Sequence, residues 1–576
     1  MKINLTPDQP LAGILEPVFA IRTEEDLGIG DTEGVRQMVD WCHRHNLHVF
    51  QTLPINETSE SNSPYNAISS LAIDPGTIAV SPRHIPDLAP EVFRRIAKPA
   101  ILKKLRSGSV QYPAMRALKR ALLQAAFDRF VKSAECRTAG RPAQFRGFLM
   151  ENADWISDYA LFRVLMEENG DSPNWERWPA EHRTPQRAHS WLLSLTDERR
   201  EELSRKQLFF IYVQWLAFSQ WRDIKDYAGR KEVFLMGDIP FGVGRNSADV
   251  WGNPDLFDLD WSGGAPPETA FKDDPFTVKW GQNWGIPNYR WDELRRRDFS
   301  WWRMRIGNIR KSFHLFRVDH ALGFFRIYSF PWTPDRNPEF LGLNRREAAA
   351  RTGGRLPGFR RFADDTREHK AANQAQGEEL LRFVTEAAQD TRVVAEDLGL
   401  VPEYVPVSLR KLGIPGFRIP SMFRERDGRF GNPANFPRLS VTQPATHDHP
   451  PLAAVWEDLW GKIEKGTHAR ESRRELAYFM EFAGMGLETP ARELTDRFHE
   501  AYLRRILRSN SWLAVVMLTD LFGQSIRFNT PGAVSASNWS VRMEKTVREL
   551  DEDPALSAKT RTFSRLAEEA GRGRQG

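Results

Sequence analysis

Short apolar runs that end in polar or glycine-containing residues recur along this chain, and they set its first reading. Residues 47–53 form a β-compatible run after a segment, 34–45, with helical character; this order predicts an early helix followed by the second strand of a barrel. Between residues 208 and 227 the apolar positions Phe210, Val213, Trp215, Phe218, Trp221 and Ile224 recur at helical spacing before Gly229. The run 233–236 then gives way to the turn-rich GDIPFGVG, predicting helix, strand and loop in succession. The same junction returns at 313–318, 393–395, 417–419 and 513–518. A β/α-barrel builds its chemistry at such junctions, because the carboxyl ends of all its strands open on one face.

The pattern changes between residues 82 and 203. Charged, helix-favouring stretches at 115–130, 155–167 and 189–203 predict a mostly helical insertion. Residues 1–81 and 204–569 then supply the two parts of one TIM-type β/α barrel, with no separate further module. The stretches 336–367 and 423–436, rich in Arg, Gly, Asn and Pro, read as long surface loops or small lids, and 570–576 as a flexible tail.

Composition narrows the function. The 576 residues are 41% apolar and 27% charged, a globular balance. The +5 formal charge comes from 81 basic against 76 acidic residues, with no basic arm of the kind nucleic acid selects. Cys42 and Cys136 are too few for a disulfide framework and read as structural thiols. The N-terminal stretch lacks the apolar core of a secretory leader, and no apolar run is long enough for a membrane span, so a cytoplasmic protein is expected. Nothing in the sequence speaks to oligomeric state.

Three junctions carry acids. Asp319 follows 313–318 and lies two residues from Arg317; it is a candidate nucleophile for an anomeric carbon, or one half of an ordinary ion pair. Glu396 and Asp397 follow 393–395. Either can serve as a general acid/base, or both can cap a helix. Asp448 lies in THDH, where it can accept bonds from sugar hydroxyls, with His447 as a second contact. His447 and His449 also admit a metal, but no HExxH or comparable ligand spacing supports one, and no cofactor motif is present. Among 19 tryptophans, Trp251, Trp280, Trp284 and Trp456 lie beside turn-forming segments and are candidates for covering sugar faces.

Taken in order, NSPYNAISSLAIDP (62–75), GDIPFGVGRNSADVW (237–251), FRVDHALGFFR (316–326), AEDLG (395–399), ATHD (445–448) and FNTPGAVSASNW (528–539) resemble the amylomaltase, or disproportionating-enzyme, family of 4-α-glucanotransferases. The resemblance implies a (β/α)8 barrel transferring α-1,4-glucan segments to sugar acceptors by a retaining double displacement. It makes Asp319 the nucleophile, Glu396 the acid/base and Asp448 the transition-state stabiliser. Arg317, His447, Tyr65, Asp249 and Trp251 become groove residues, with Trp284 beside them. Maltooligosaccharides and other α-1,4-glucans are the implied substrates. Two departures stand out: the segment 264–284 is longer than the family pattern, and His449 and Pro450 stand where Asn-Asp is common after the histidine–aspartate pair. A retaining α-glucan hydrolase and a catalytically inactive glycan-binding protein are the competing readings.

Overall fold

The computed structural model describes residues 4–573 except 59–60, 135–139, 269–273 and 533–534. Its twelve strands are β1 (Leu11–Leu15), β2 (Val49–Gln51), β3 (Phe234–Ile239), β4 (Phe257–Ala265), β5 (Gln282–Tyr289), β6 (Leu315–Val318), β7 (Ile327–Phe330), β8 (Gly358–Arg360), β9 (Arg392–Ala395), β10 (Gly416–Arg418), β11 (Ser440–Thr442) and β12 (Leu513–Met517). Eight of them close a parallel barrel in the order β1-β12-β11-β10-β9-β6-β3-β2. The TIM-barrel reading holds, and the strands at the acidic junctions are its wall.

Side-chain alternation explains why these runs are strands. Leu11, Leu15, Val49, Met236, Leu315, Val394, Phe417, Val441, Leu513, Val515 and Met517 fill the barrel interior as one buried cluster. Their neighbours Ala12, Ile14, Phe50, Leu235, Phe316, Val393, Ala514 and Val516 point the other way, into the larger core shared with the helices. Runs with both faces buried read as continuous apolar stretches, as parallel strands should.

The first barrel strand was not anticipated. Residues 11–15, LAGIL, are short and preceded by a proline, yet they pair with β12 and β2. Between β2 and β3 the described residues hold helices and no strand, including Tyr112–Ala134, Ala153–Glu168, Pro185–Ser194 and Asp197–Arg230. The expected helix at 189–203 is two helices. Thr196 caps the second by accepting from Arg199 N, and that second helix runs on through the whole expected 208–227 segment.

A second sheet, antiparallel with order β5-β4-β7-β8, lies outside the barrel order. It corrects two expectations. The segment 264–284 is not a simple loop: it comprises the end of β4, the helix Pro275–Trp280 and the start of β5. The stretch 336–367 contains the helices Asn337–Leu341 and Arg345–Arg351, the latter with a capping box between Asn344 and Glu347, together with β8.

The expected tail is also ordered as far as residue 573. Arg572 is 1% exposed, and its guanidinium donates to the carbonyls of Leu11, Leu507, Ser509, Ser511 and Trp512, tying the chain end to β1 and β12. Cys42 is buried and free, whereas Cys136 lies outside the described residues. No helix among the described residues is long and apolar enough to cross a membrane.

Candidate active site

The ladder bonds of the barrel continue past the strand ends and fix the acids relative to one another. Asp319 N donates to Ile239 O at 2.9 Å, and Glu396 N donates to Val318 O at 2.9 Å. Both acids therefore emerge at the carboxyl end of the barrel, from adjacent strands.

Arg317, on β6, organises the centre. Its Nη1 donates to Asp238 Oδ2 at 2.6 Å, and its Nη2 lies 2.7 Å from Asp319 Oδ1. Burial works against the guanidinium's charge, but the carboxylates of Asp238 and Asp319 more than offset it and raise the Arg317 pKa well above its ordinary value. A fixed cation between two carboxylates holds the Asp319 rotamer.

Asp238, on β3, was not singled out from the sequence, although it lies in GDIPFGVG. It is 1% exposed and also accepts from Tyr65 Oη at 2.7 Å. Burial raises its pKa to about 6 against the opposing charge of Arg317. Tyr65 in turn stacks on the His447 ring, with centroids 5.1 Å apart and planes 11° from parallel. Trp539, at φ 61°, closes this aromatic group at 5.9 Å from both rings; it was another residue missed from the sequence.

Glu396 is held by the backbone. Its Oε2 accepts from His320 N at 2.9 Å and its Oε1 from Leu398 N at 2.7 Å. Burial dominates, aided by the nearby Asp319 charge and opposed by Arg317 and the two amides, and the pKa rises to about 7. A carboxyl poised there can both give and take a proton near neutral pH. The His320 amide reaches Glu396 from a left-handed backbone, φ 43°. The His320 imidazole meets Trp284 edge-on at 4.8 Å, and burial lowers its pKa to about 4, so the ring is neutral near pH 7.

Asp397 faces elsewhere. It is 1% exposed, accepts from Phe417 N at 2.6 Å and pairs with Arg418 at 3.1 Å. A Cβ at Gly416 would lie 2.6 Å from its Oδ2, so the glycine makes room for this carboxylate. With Asp397 committed to β10, Glu396 is the member of the pair that joins Arg317 and Asp319.

Asp448 completes the group. Its Oδ1 accepts from Asn529 Nδ2 at 2.6 Å, its Oδ2 lies 3.2 Å from His447 Nε2, and Arg527 donates to its carbonyl at 2.9 Å. Burial would raise its pKa, but His447, Asn529 and the charge of Arg317 prevail and hold the carboxyl well below the usual range. Asn529 was missed as well; its only sequence signal is its place in FNTPGAVSASNW.

Two expected groove residues lie in the interior instead. Trp251 has no exposed surface, and its Nε1 donates to His182 O at 2.9 Å. Asp249 is 3% exposed and accepts from both Ser70 N and Ser70 Oγ at 2.7 Å, pinning the Tyr65-bearing segment to the helix Ala248–Gly252. Trp280 and Trp456 are buried too, each donating to a backbone carbonyl. Of the four tryptophans considered, Trp284 alone offers a face, at 39% exposure. Among the described residues no group of three or more His, Cys, Asp or Glu is placed to hold a metal ion.

Comparison with known proteins agrees with this architecture. Residues 16–547 match the glycoside hydrolase 77 family, described as 4-alpha-glucanotransferase. The 4-alpha-glucanotransferase of Chlamydia pneumoniae is 30% identical over 560 residues, covering 95% of this chain and 94% of its own. That of Aquifex aeolicus is 27% identical, over 93% and 96% respectively. Among solved structures, the amylomaltase of Streptococcus agalactiae in complex with acarbose superposes with a TM-score of 0.72 at 23% identity, covering 98% of this chain and 100% of its own. The amylomaltase of Corynebacterium glutamicum superposes at 0.75 with 21% identity, over 97% and 75%. With nearly its whole length matched, the chain belongs to glycoside hydrolase family 77, the 4-alpha-glucanotransferases that act on alpha-1,4-glucans.

Proposed function

We propose that this glucanotransferase works by a retaining double displacement in which Asp319 is the nucleophile, Glu396 the acid/base and Asp448 the stabiliser of the distorted sugar. The observation that carries the reading is the division of protonation states around Arg317. One carboxylate is ion-paired with the guanidinium, one carboxyl is raised to about 7, and one is held well below its usual range. Carboxyls whose environments push their proton affinities apart are suited to different roles.

In the first step an Asp319 oxygen bonds to the anomeric carbon as the glycosidic C–O bond breaks, and the Glu396 proton passes to the leaving oxygen. In the second, a sugar hydroxyl gives its proton to Glu396 as its oxygen displaces Asp319. Two inversions give net retention, a mechanism that calls for a separation of about 5 to 5.5 Å between the two carboxyl groups. Tyr65 and His447 serve as sugar contacts beside Asp448, and the β4–β5 hairpin with Trp284 serves as a cover that favours a sugar acceptor over water.

The test is incubation with maltotriose while chain lengths, glucose and total reducing ends are followed together. Transfer lengthens some chains and shortens others at constant reducing ends. A reducing end gained with each cleavage, even with abundant acceptor, would assign hydrolysis instead.

A further inference from the structure

The turn that carries Asp448 is fixed at both ends. At its start Thr446, 5% exposed, accepts from His449 N through its carbonyl at 2.9 Å and from Asp448 N through Oγ1 at 3.4 Å. At its end Leu452 N, from the first residue of the helix Leu452–Glu464, donates to Oδ1 of the buried Asp520 at 2.7 Å. Arg527 ties the middle, donating from Nη2 to the Asp448 carbonyl and from Nε to Asn529 O. Pro450 and Pro451 stiffen the stretch between, so the backbone of His449 has little freedom.

The His449 ring is fixed as well. Its Nδ1 lies 2.8 Å from Thr446 Oγ1. That hydroxyl has no other acceptor among the described residues, so its hydrogen goes to Nδ1 and the ring's own proton sits on Nε2. Burial lowers the His449 pKa against the pull of Asp448, with His447 and Arg527 acting in the same direction as burial, and the imidazole is neutral near pH 7. The Nε2–H makes no hydrogen bond among the described residues and is not sealed from solvent in this half-buried ring. Beside it the Asp448 carboxylate, 39% exposed, offers only acceptor oxygens. Consecutive residues thus present an acceptor and a donor. That is the complement of two adjacent hydroxyls on one pyranose ring, of which one gives a hydrogen and the other accepts one.

We infer that His449 binds the donor glucan: its Nε2–H donates to a hydroxyl of the glucose unit whose neighbouring hydroxyl donates to Asp448. The inference rests on the proposed place of Asp448 beside the reacting sugar, and the side of the cleft follows from the same placement. Glu396 meets the glycosidic oxygen and so faces the leaving chain and the incoming acceptor, whereas the charges acting on His449 are those of Asp448, His447, Arg527 and Arg317. His449 therefore reads the donor and not the acceptor. A side chain without a donor at this position leaves one sugar hydroxyl unpaired in the bound substrate and in the transition state alike, so the loss falls on KM and not on kcat.

The experiment follows fluoride release by the full chain from α-maltosyl fluoride with glucose as acceptor, so that donor and acceptor constants are read separately. His449→Phe keeps a ring and removes the N–H. Its KM for the fluoride should rise about tenfold, the worth of one hydrogen bond, with kcat, the KM for glucose and the melting temperature nearly unchanged. His449→Gln, whose side-chain amide restores an N–H, should recover most of the loss. In calorimetry on Asp319→Asn, where the nucleophile is absent, adding His449→Phe should weaken maltotriose binding by a similar factor. A donor KM unmoved in His449→Phe, a rise in the glucose KM of the same size, or His449→Gln as impaired as His449→Phe would overturn the inference. A fall in kcat at unchanged donor KM would give His449 only a structural hold on Asp448 and overturn it equally. Native turnover by Asp319→Asn would instead overturn the proposed reaction, and the shift of donor KM in His449→Phe would stand.

Discussion

Glu396 and Asp448 lie at the same end of the barrel and face the same arginine, yet one is pushed up to about 7 and the other held well below the usual carboxylate range. The difference lies in the groups that surround each buried carboxyl. Among the described residues Glu396 accepts from main-chain amides alone, those of His320 and Leu398, while Asp319 adds a neighbouring negative charge. Asp448 accepts from the side-chain amide of Asn529 and lies 3.2 Å from the imidazole of His447. Burial raises both, and what surrounds them decides the sign. The low proton affinity of Asp448 rests in part on two replaceable residues, His447 and Asn529.

The largest effect follows from removing the proton carrier. Glu396→Gln should lower maltotriose turnover by roughly three orders of magnitude, within the range of general acid–base catalysis. The loss of the first step should be much smaller with α-maltosyl fluoride, whose leaving group needs no proton. Equal losses on both substrates would remove Glu396 from the acid role.

The unmodified enzyme supplies the next contrast. As pH rises through about 7, Glu396 gives up its proton, and kcat/KM should fall by about tenfold per unit on that limb. The same shift has a sign for stability. The folded state keeps a proton that the unfolded chain releases near its ordinary value, so Glu396 makes the fold less stable as pH rises from about 4 to about 7. Glu396→Gln should abolish that part of the pH dependence of the unfolding midpoint.

Asn529→Ala tests the other carboxylate. Loss of a hydrogen bond to a charged group, about 1.5–3 kcal/mol, should reduce kcat/KM roughly tenfold or more and move its acid limb to higher pH. An unmoved acid limb would mean that Asn529 does not set the Asp448 pKa.

The smallest effects separate the buried tryptophan from the exposed one. Trp251→Phe orphans the His182 carbonyl and should lower the melting temperature by a few degrees at unchanged KM. Trp284→Ala should leave the melting temperature nearly untouched and raise the acceptor KM several-fold. A reversed pattern would return Trp251 to the groove.

Six of the eight barrel strands were legible as local apolar runs, and Asp319 and Glu396 each follow one; β1 and β11 were not, and Asp448 was singled out by its THDH neighbours. What was not legible depended on distant partners. Asp238 lies just past the run 233–236, but its part in the site requires Arg317, 79 residues away in sequence. Trp251 and Trp284 look alike beside their turns; packing against Phe162 of the helical insertion buries the first, and a place on β5 at the edge of the second sheet exposes the other. The antiparallel sheet escaped because β4, FDLDWSGGA, has glycines where alternation would show, and its register with β5 shifts twice. At the chain end, Arg572 reads as a polar tail residue until β1 and β12 bring their carbonyls around it.

The central claim, a covalent glycosyl enzyme on Asp319 formed with the help of Glu396, is tested most directly by trapping it. Glu396→Gln is mixed with α-maltosyl fluoride, which drives the first step and leaves the second without its base. The intact mass should rise by one maltosyl unit, and peptide mapping should place the adduct on Asp319 within FRVDHALGFFR. Adduct on another residue, or fluoride release with no adduct while Asp319→Asn releases fluoride equally fast, would contradict the account.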